Sequence, residues 1–134
     1  MNSPSAPRRA AGRVLIIDDS EIALALAEDA LCQAGYEVKC VKFPNKADPL
    51  TLIVANFRPD LVLADVEMPL LRGDDFIRIA KTSPAFKSMK FYFYSSLAPE
   101  KLESFVGEVA ADGFIPKSED LTSVVRRVRE ILGG

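Results

Sequence analysis

The chain has 134 residues, 49% of them hydrophobic and 27% charged, which fits one soluble globular domain and argues against a disordered or fibrous class. A formal net charge of -2 argues against a protein dominated by nucleic-acid binding. With no histidine and two cysteines that lack CxxC spacing, a zinc or haem site is also disfavoured.

Residues 1–12 contain Pro4, Pro7, Arg8 and Arg9 and lack the apolar stretch of a signal peptide, so a flexible tail is expected there. No run approaches the roughly 20 apolar residues of a bilayer span, which makes the cytoplasm the expected location. Val14-Leu15-Ile16-Ile17 is an unbroken β-rich run, the pattern of a strand buried on both faces. A helix is predicted over 21–34, with Ser20 as its N-cap and Gly35 as its stop. Residues 36–41 read as a second strand, 44–48 as a loop and 49–57 as a shorter helix. Cys32 and Cys40 fall in the first helix and the second strand and are expected to be buried, reduced thiols.

Pro59 breaks the pattern, and a third strand over 60–64 runs up to Asp65. Residues 73–81 have helical spacing, with Phe76, Ile77 and Ala80 on one face. An aromatic fourth strand covers 89–94, and its run Phe91-Tyr92-Phe93-Tyr94 is read as core packing rather than as a base-stacking platform. A fourth helix over 99–109 has a proline in its first turn, and 114–116 form a brief fifth strand. Asp120 caps a fifth helix carrying Leu121, Val124, Val125, Val128 and Leu132. Its cluster Arg126, Arg127 and Arg129 is read as a solvated face that suits the helix dipole. About five β–α units with strands buried on both sides give a doubly wound α/β sandwich with right-handed crossovers, and no second domain.

In such sheets, ligands bind beyond the carboxyl ends of the strands. Those ends carry Asp18-Asp19, Asp65, Ser95-Ser96 and Pro116-Lys117. Three carboxylates, two hydroxyls and an ammonium should therefore converge on one rim. Crowded carboxylates repel, and protons, Lys117 or a cation must offset that repulsion. Oxygen-only ligands select a hard ion, and a small, partly hydrated site suits Mg2+ better than Ca2+. A carboxylate beside Mg2+ and a lysine stays ionised and can attack phosphorus, so the chemistry inferred is acyl-phosphate formation on an aspartate. Taken singly, Asp19 or Ser20 reads as a helix cap, Ser95-Ser96 as a turn and Lys117 as a surface charge. It is their joint placement that points to function.

The segments Leu15-Ile16-Ile17-Asp18-Asp19-Ser20, Asp65-Val66-Glu67-Met68-Pro69 with Gly73, Ser95, and Asp112-Gly113-Phe114-Ile115-Pro116-Lys117 resemble response-regulator receiver domains. The likeness runs from about 14 to 132, and the intervals between Asp65, Ser95 and Lys117 look like those of single-domain chemotaxis regulators. It implies a flavodoxin-like, five-stranded parallel sheet of order 2-1-3-4-5 sandwiched by helices, with a receiver domain over 13–134. Asp65 would be the phosphoacceptor. Asp18, Asp19, Asp65 and the backbone carbonyl of Glu67 would hold Mg2+, while Ser95 and Lys117 would bind the phosphoryl group. Ser95 and Phe114 would form the switch that couples the site to an output face on the fourth helix, fifth strand and fifth helix. Ser118 follows Lys117 where the family commonly has proline, so the usual cis X-Pro bond is absent.

The resemblance further implies a histidine kinase or phosphotransfer protein as donor and a downstream protein as output partner. It gives no nucleic-acid or membrane partner, and a monomer or weak homodimer. The chain would be a switch rather than an enzyme, with only self-phosphorylation and self-dephosphorylation chemistry. Two other readings compete: a phosphate-independent scaffold of receiver type, and an aspartyl phosphatase with Glu67 as its second acid. The intact acidic set weighs against the first, and the lack of a cap domain against the second.

Overall fold

The computed structural model describes residues 11–42, 50–66, 88–109 and 111–133. In chain order these form β1 (Arg13–Asp18), α1 (Glu21–Gln33), β2 (Glu37–Lys42), α2 (Leu50–Phe57), β3 (Leu61–Ala64), β4 (Lys90–Ser95), α3 (Pro99–Val109), β5 (Gly113–Pro116) and α4 (Leu121–Leu132). The helix expected over 73–81 lies outside the described residues, so α3 and α4 are the fourth and fifth helices of the sequence reading. The five strands form one sheet in the order β2-β1-β3-β4-β5, and every neighbouring pair is parallel. This is the expected doubly wound, flavodoxin-like arrangement.

Successive strand residues face opposite sides, and both sides are covered, so β1 and β3 have no polar face at all. Leu15, Ile17, Val62, Ala64, Phe91 and Phe93 pack on one side with Ile53 and Val54 of α2 and Leu102 of α3. Val14, Ile16, Leu61, Leu63, Tyr94 and Ile115 pack on the other, with Leu24, Ala27 and Leu31 of α1 and Val124 and Val128 of α4. Phe91 and Phe93 are fully buried, which makes the aromatic run core, as read. The edge strand β2 carries exposed Glu37, Lys39 and Lys42, charges that discourage pairing with another chain.

Helix boundaries follow capping chemistry. The Ser20 hydroxyl accepts the Ala23 N–H at 3.2 Å to open α1, and Gly35, at φ 99°, turns the chain out of it. Asp120 opens α4 by accepting the Ser123 N–H at 2.7 Å. Ala11 donates to the Gly35 carbonyl at 3.0 Å, and Gly12 accepts from Glu37 at 2.9 Å. The last two residues assigned to a tail are thus tied to the start of β2; residues 1–10 lie outside the described residues.

Three expectations need correction. β1, β2 and β4 each extend one residue beyond their predicted ends because the parallel ladder continues, through Asp18↔Lys42 and Ser95↔Pro116. The two cysteines are free thiols, but Cys32 is exposed and Cys40 only half-buried. The buried stripe of α1 is Leu24, Ala27 and Leu31, and one residue past Leu31 the helix has turned about 100° towards solvent. Arg127, thirdly, is no solvated charge: it is half-buried and donates to Glu119 and to the Phe114 carbonyl.

Candidate functional site

The site is built by register. β1 and β3 are neighbours, paired Ile17↔Ala64, so the residues after that pair, Asp18 and Asp65, stand side by side at the sheet's carboxyl edge. The Asp65 N–H donates to the Ile17 carbonyl at 3.0 Å and continues the ladder one step past β3. Asp18 and Asp65 are 1% and 4% exposed, whereas Asp19 opens to solvent. Carboxylate oxygens of all three lie within 4.8 Å of one another.

Asp18 is held by its neighbours in sequence. Its Oδ1 accepts the Ser20 N–H at 2.9 Å, while the Ser20 hydroxyl caps α1. Ser20 therefore takes the capping role that was open to Asp19 or Ser20, which leaves Asp19 available to the cluster. Ser95, fully buried, ends β4; its hydroxyl accepts the Leu97 N–H at 3.3 Å, and Ser96 is exposed.

Lys117 follows β5 directly. Its N–H donates to the Ser95 carbonyl at 2.8 Å, which carries the β4–β5 ladder up to the lysine. Its side chain passes over the Tyr94 ring, with Nζ 5.7 Å from the centroid, and reaches the tips of β3 and β1. Nζ donates to Asp65 Oδ2 at 3.0 Å and forms an ion pair with Asp18 Oδ2. The contact with Asp18 is a close ion pair, almost fully buried on the Asp18 side.

The electrostatics follow from burial. Withdrawal from water pushes the Asp18 carboxyl above its ordinary range, and Lys117 and the Ser20 N–H oppose this only in part. For Lys117, burial pulls the ammonium down, but its bonds to Asp18 and Asp65 outweigh that and hold it above the usual lysine value. Two unit charges 4.8 Å apart repel by about 3.5 kcal/mol at an effective dielectric near 20. One lysine shared between two buried carboxylates, with a third beside them, leaves that repulsion only partly offset. An all-carboxylate donor set, two of its members buried, and an opening at Asp19 are what a hard divalent cation fits.

The sequence-predicted residues Asp18, Asp19, Asp65 and Lys117 thus meet at one place, with Ser95 at the end of the strand between Asp65 and Lys117. Glu67, Met68, Pro69 and Gly73 lie outside the described residues. Phe114 is half-buried on β5, opposite Phe93 in the ladder, and packs against the core on the α2–α3 side. Sequence reasoning did not anticipate the Tyr94 wall under Lys117 or the Arg127–Glu119 pair. The only signal for Tyr94 was its place one residue before Ser95.

Comparison with known proteins agrees with this fold. The family profile described as response regulator receiver domain matches residues 14–129. The gliding motility regulatory protein of Myxococcus xanthus is 36% identical over 108 residues, which are 80% of this chain but 13% of that protein. The uncharacterized transcriptional regulatory protein YvcP of Bacillus subtilis is 28% identical over 90% of this chain, which spans 48% of its length. The probable chemotaxis protein CheY of Rhizobium etli is 23% identical, with 90% of this chain and 92% of that one covered. Among solved structures, the chemotaxis response regulator CheY4 of Vibrio cholerae superposes with a TM-score of 0.77 at 23% identity, covering 89% of this chain and 97% of that one, a likeness in fold. With that profile covering residues 14–129 of 134, the chain belongs to the response regulator receiver domain family.

Proposed function

We propose that this receiver domain is a phosphorylation switch in which Asp65 accepts a phosphoryl group with Mg2+ held by Asp18, Asp19 and Asp65. The observation that carries the reading is the meeting of those three carboxylates with the Lys117 ammonium at one edge of the sheet. By the family likeness Glu67 would add its backbone carbonyl. Bound there, Mg2+ would neutralise charge on the phosphoryl oxygens.

This chain's own residues do the rest. A carboxylate oxygen of Asp65 attacks phosphorus in line, and the bond to the donor breaks with its electron pair leaving on the donor, a phosphohistidine nitrogen of a histidine kinase or phosphotransfer protein. Lys117 already lies 3.0 Å from Asp65 Oδ2 and can follow the charge onto the phosphoryl oxygens. The Ser95 hydroxyl would donate to the same group. Hydrolysis by water restores Asp65, so the chain turns over its own modification and acts as a switch, not as an enzyme on other substrates.

Phosphorylation adds about 1.5 to 2 negative charges next to groups already crowded with them. Drawing in Ser95 and Lys117 moves the ends of β4 and β5, and Phe114 on β5 carries that change to the α3–β5–α4 face, where a downstream protein would bind. We place the protein in the cytoplasm as a monomer or weak homodimer; no helix among the described residues is long and apolar enough to cross a membrane. The test is fluorine NMR of the beryllium fluoride adduct. A Mg2+-dependent adduct on the parent chain, absent from Asp65→Asn, is expected; an adduct that survives in Asp65→Asn contradicts the assignment.

A further inference from the structure

Lys117 opens the loop between β5 and α4, so its aim depends on how that loop is held. Two backbone bonds help: Lys117 N–H to the Ser95 carbonyl at 2.8 Å and Glu119 N–H to the Pro116 carbonyl at 3.2 Å. They fix the loop's path at two points, yet both lie on the side of β4 and β5. Beyond the Asp120 cap, Arg127 ties the loop to the helix behind it. From the second turn of α4 its guanidinium donates through Nη2 to the Phe114 carbonyl and through Nη1 to Glu119 Oε2, each at 3.1 Å. The two side chains are 33% and 28% exposed, so this is a partly buried, geometrically fixed contact and not a loose surface pair.

One planar group thereby joins three elements: β5 three residues before Lys117, the loop two residues after it, and α4. Its neighbour Arg126 is exposed and, among the described residues, bonds to the Ser123 hydroxyl within its own helix at 3.3 Å. We propose that Arg127 is a positioning residue which, through Glu119 and the Phe114 carbonyl, braces the β5–α4 loop and aims the Lys117 ammonium at Asp65. The proposal rests on the reading of Asp65 as phosphoacceptor.

The test uses the full chain and compares the parent with Arg127→Met, Arg127→Lys, Glu119→Gln and, as control, Arg126→Met. Two quantities are read: the rate of labelling by acetyl phosphate at saturating Mg2+, and the side-chain 15N resonance of Lys117. Arg127→Met is expected to slow labelling by about tenfold, the scale of a misplaced catalytic group, with the dissociation constant for Mg2+ changed less than about twofold. Its Lys117 resonance should average towards that of a free lysine. Arg127→Lys should recover part of the rate, Glu119→Gln should lose part of it even if Arg127→Met folds poorly, and Arg126→Met should match the parent. A folded Arg127→Met that labels at the parental rate with an unchanged Lys117 resonance overturns the proposal. If no chain labels, including the parent, the phosphoacceptor reading falls and the Lys117 resonance alone decides the brace: loosened in Arg127→Met the brace stands, unchanged it falls too.

Discussion

Removing the Lys117 ammonium isolates the electrostatic core of the site. Lys117→Met keeps most of the side-chain volume over Tyr94 and deletes the charge that sits 3.0 Å from Asp65 Oδ2 and against Asp18 Oδ2. Both carboxylates are almost fully withdrawn from solvent, at 1% and 4% exposure. Stripping a buried ion pair of one partner costs about 3–5 kcal/mol, and the lower end applies to a cluster that opens to solvent at Asp19. At about 3 kcal/mol the melting temperature of a domain this size should fall by roughly 10 °C in chelator at pH 7. Mg2+ should restore more stability to the variant than to the parent, because the lysine no longer competes with it for Asp18 and Asp65; a ligand at a hundred times its Kd contributes about 2.7 kcal/mol. Differential scanning calorimetry with and without saturating Mg2+ reads both effects. A variant that melts within about 2 °C of the parent in chelator, or that responds to Mg2+ no more than the parent does, refutes the reasoning.

Asp18→Asn should stabilise the metal-free protein at neutral pH while weakening Mg2+ binding, since the amide keeps an oxygen for the Ser20 N–H and drops the buried charge. Because the folded-state pKa of Asp18 is raised, its stability contribution is full below 3.8 and is lost as pH rises through the folded value. The gain in melting temperature of Asp18→Asn over the parent should therefore grow from pH 3.8 upward and then level off, and a gain that shrinks with pH would have the wrong sign. Lys117 is also raised, so its contribution persists below 10.5 and disappears above that, visible as a loss of stability in alkali that Lys117→Met lacks. Gly113→Ala would place a Cβ 2.7 Å from the Tyr92 ring, and chemical denaturation should register a loss of about 1–3 kcal/mol. Ser20→Ala should cost about 1 kcal/mol of cap energy yet leave labelling of Asp65 intact, because the Asp18 contact uses the Ser20 backbone.

The parts of this molecule legible in its sequence are those set by short-range pattern. Unbroken apolar runs mark strands buried on both faces, and the first polar residue after each run has nowhere to go but the carboxyl rim. For that reason Asp18, Asp65, Ser95 and Lys117 could be placed together before any coordinates. Features set by phase or by distant partners were not legible. Cys32 is one residue from the buried Leu31, a step of about 100° on a helix, and composition alone does not choose between the two faces. Arg127 and Glu119 are separated by a loop and the first turns of α4, so their pairing depends on how that helix packs. The close approach of Gly113 to Tyr92 depends on the register Tyr92↔Gly113, which only the assembled sheet fixes.

The most direct test of the account is covalent. The intact chain, incubated with acetyl phosphate and Mg2+ and then reduced with borohydride, should carry a single modification that maps to Asp65 and disappears when Mg2+ is chelated. Modification at any other carboxylate, or equal labelling without the divalent ion, would contradict the claim that the tips of β1 and β3 make one phosphoryl-accepting, metal-dependent site.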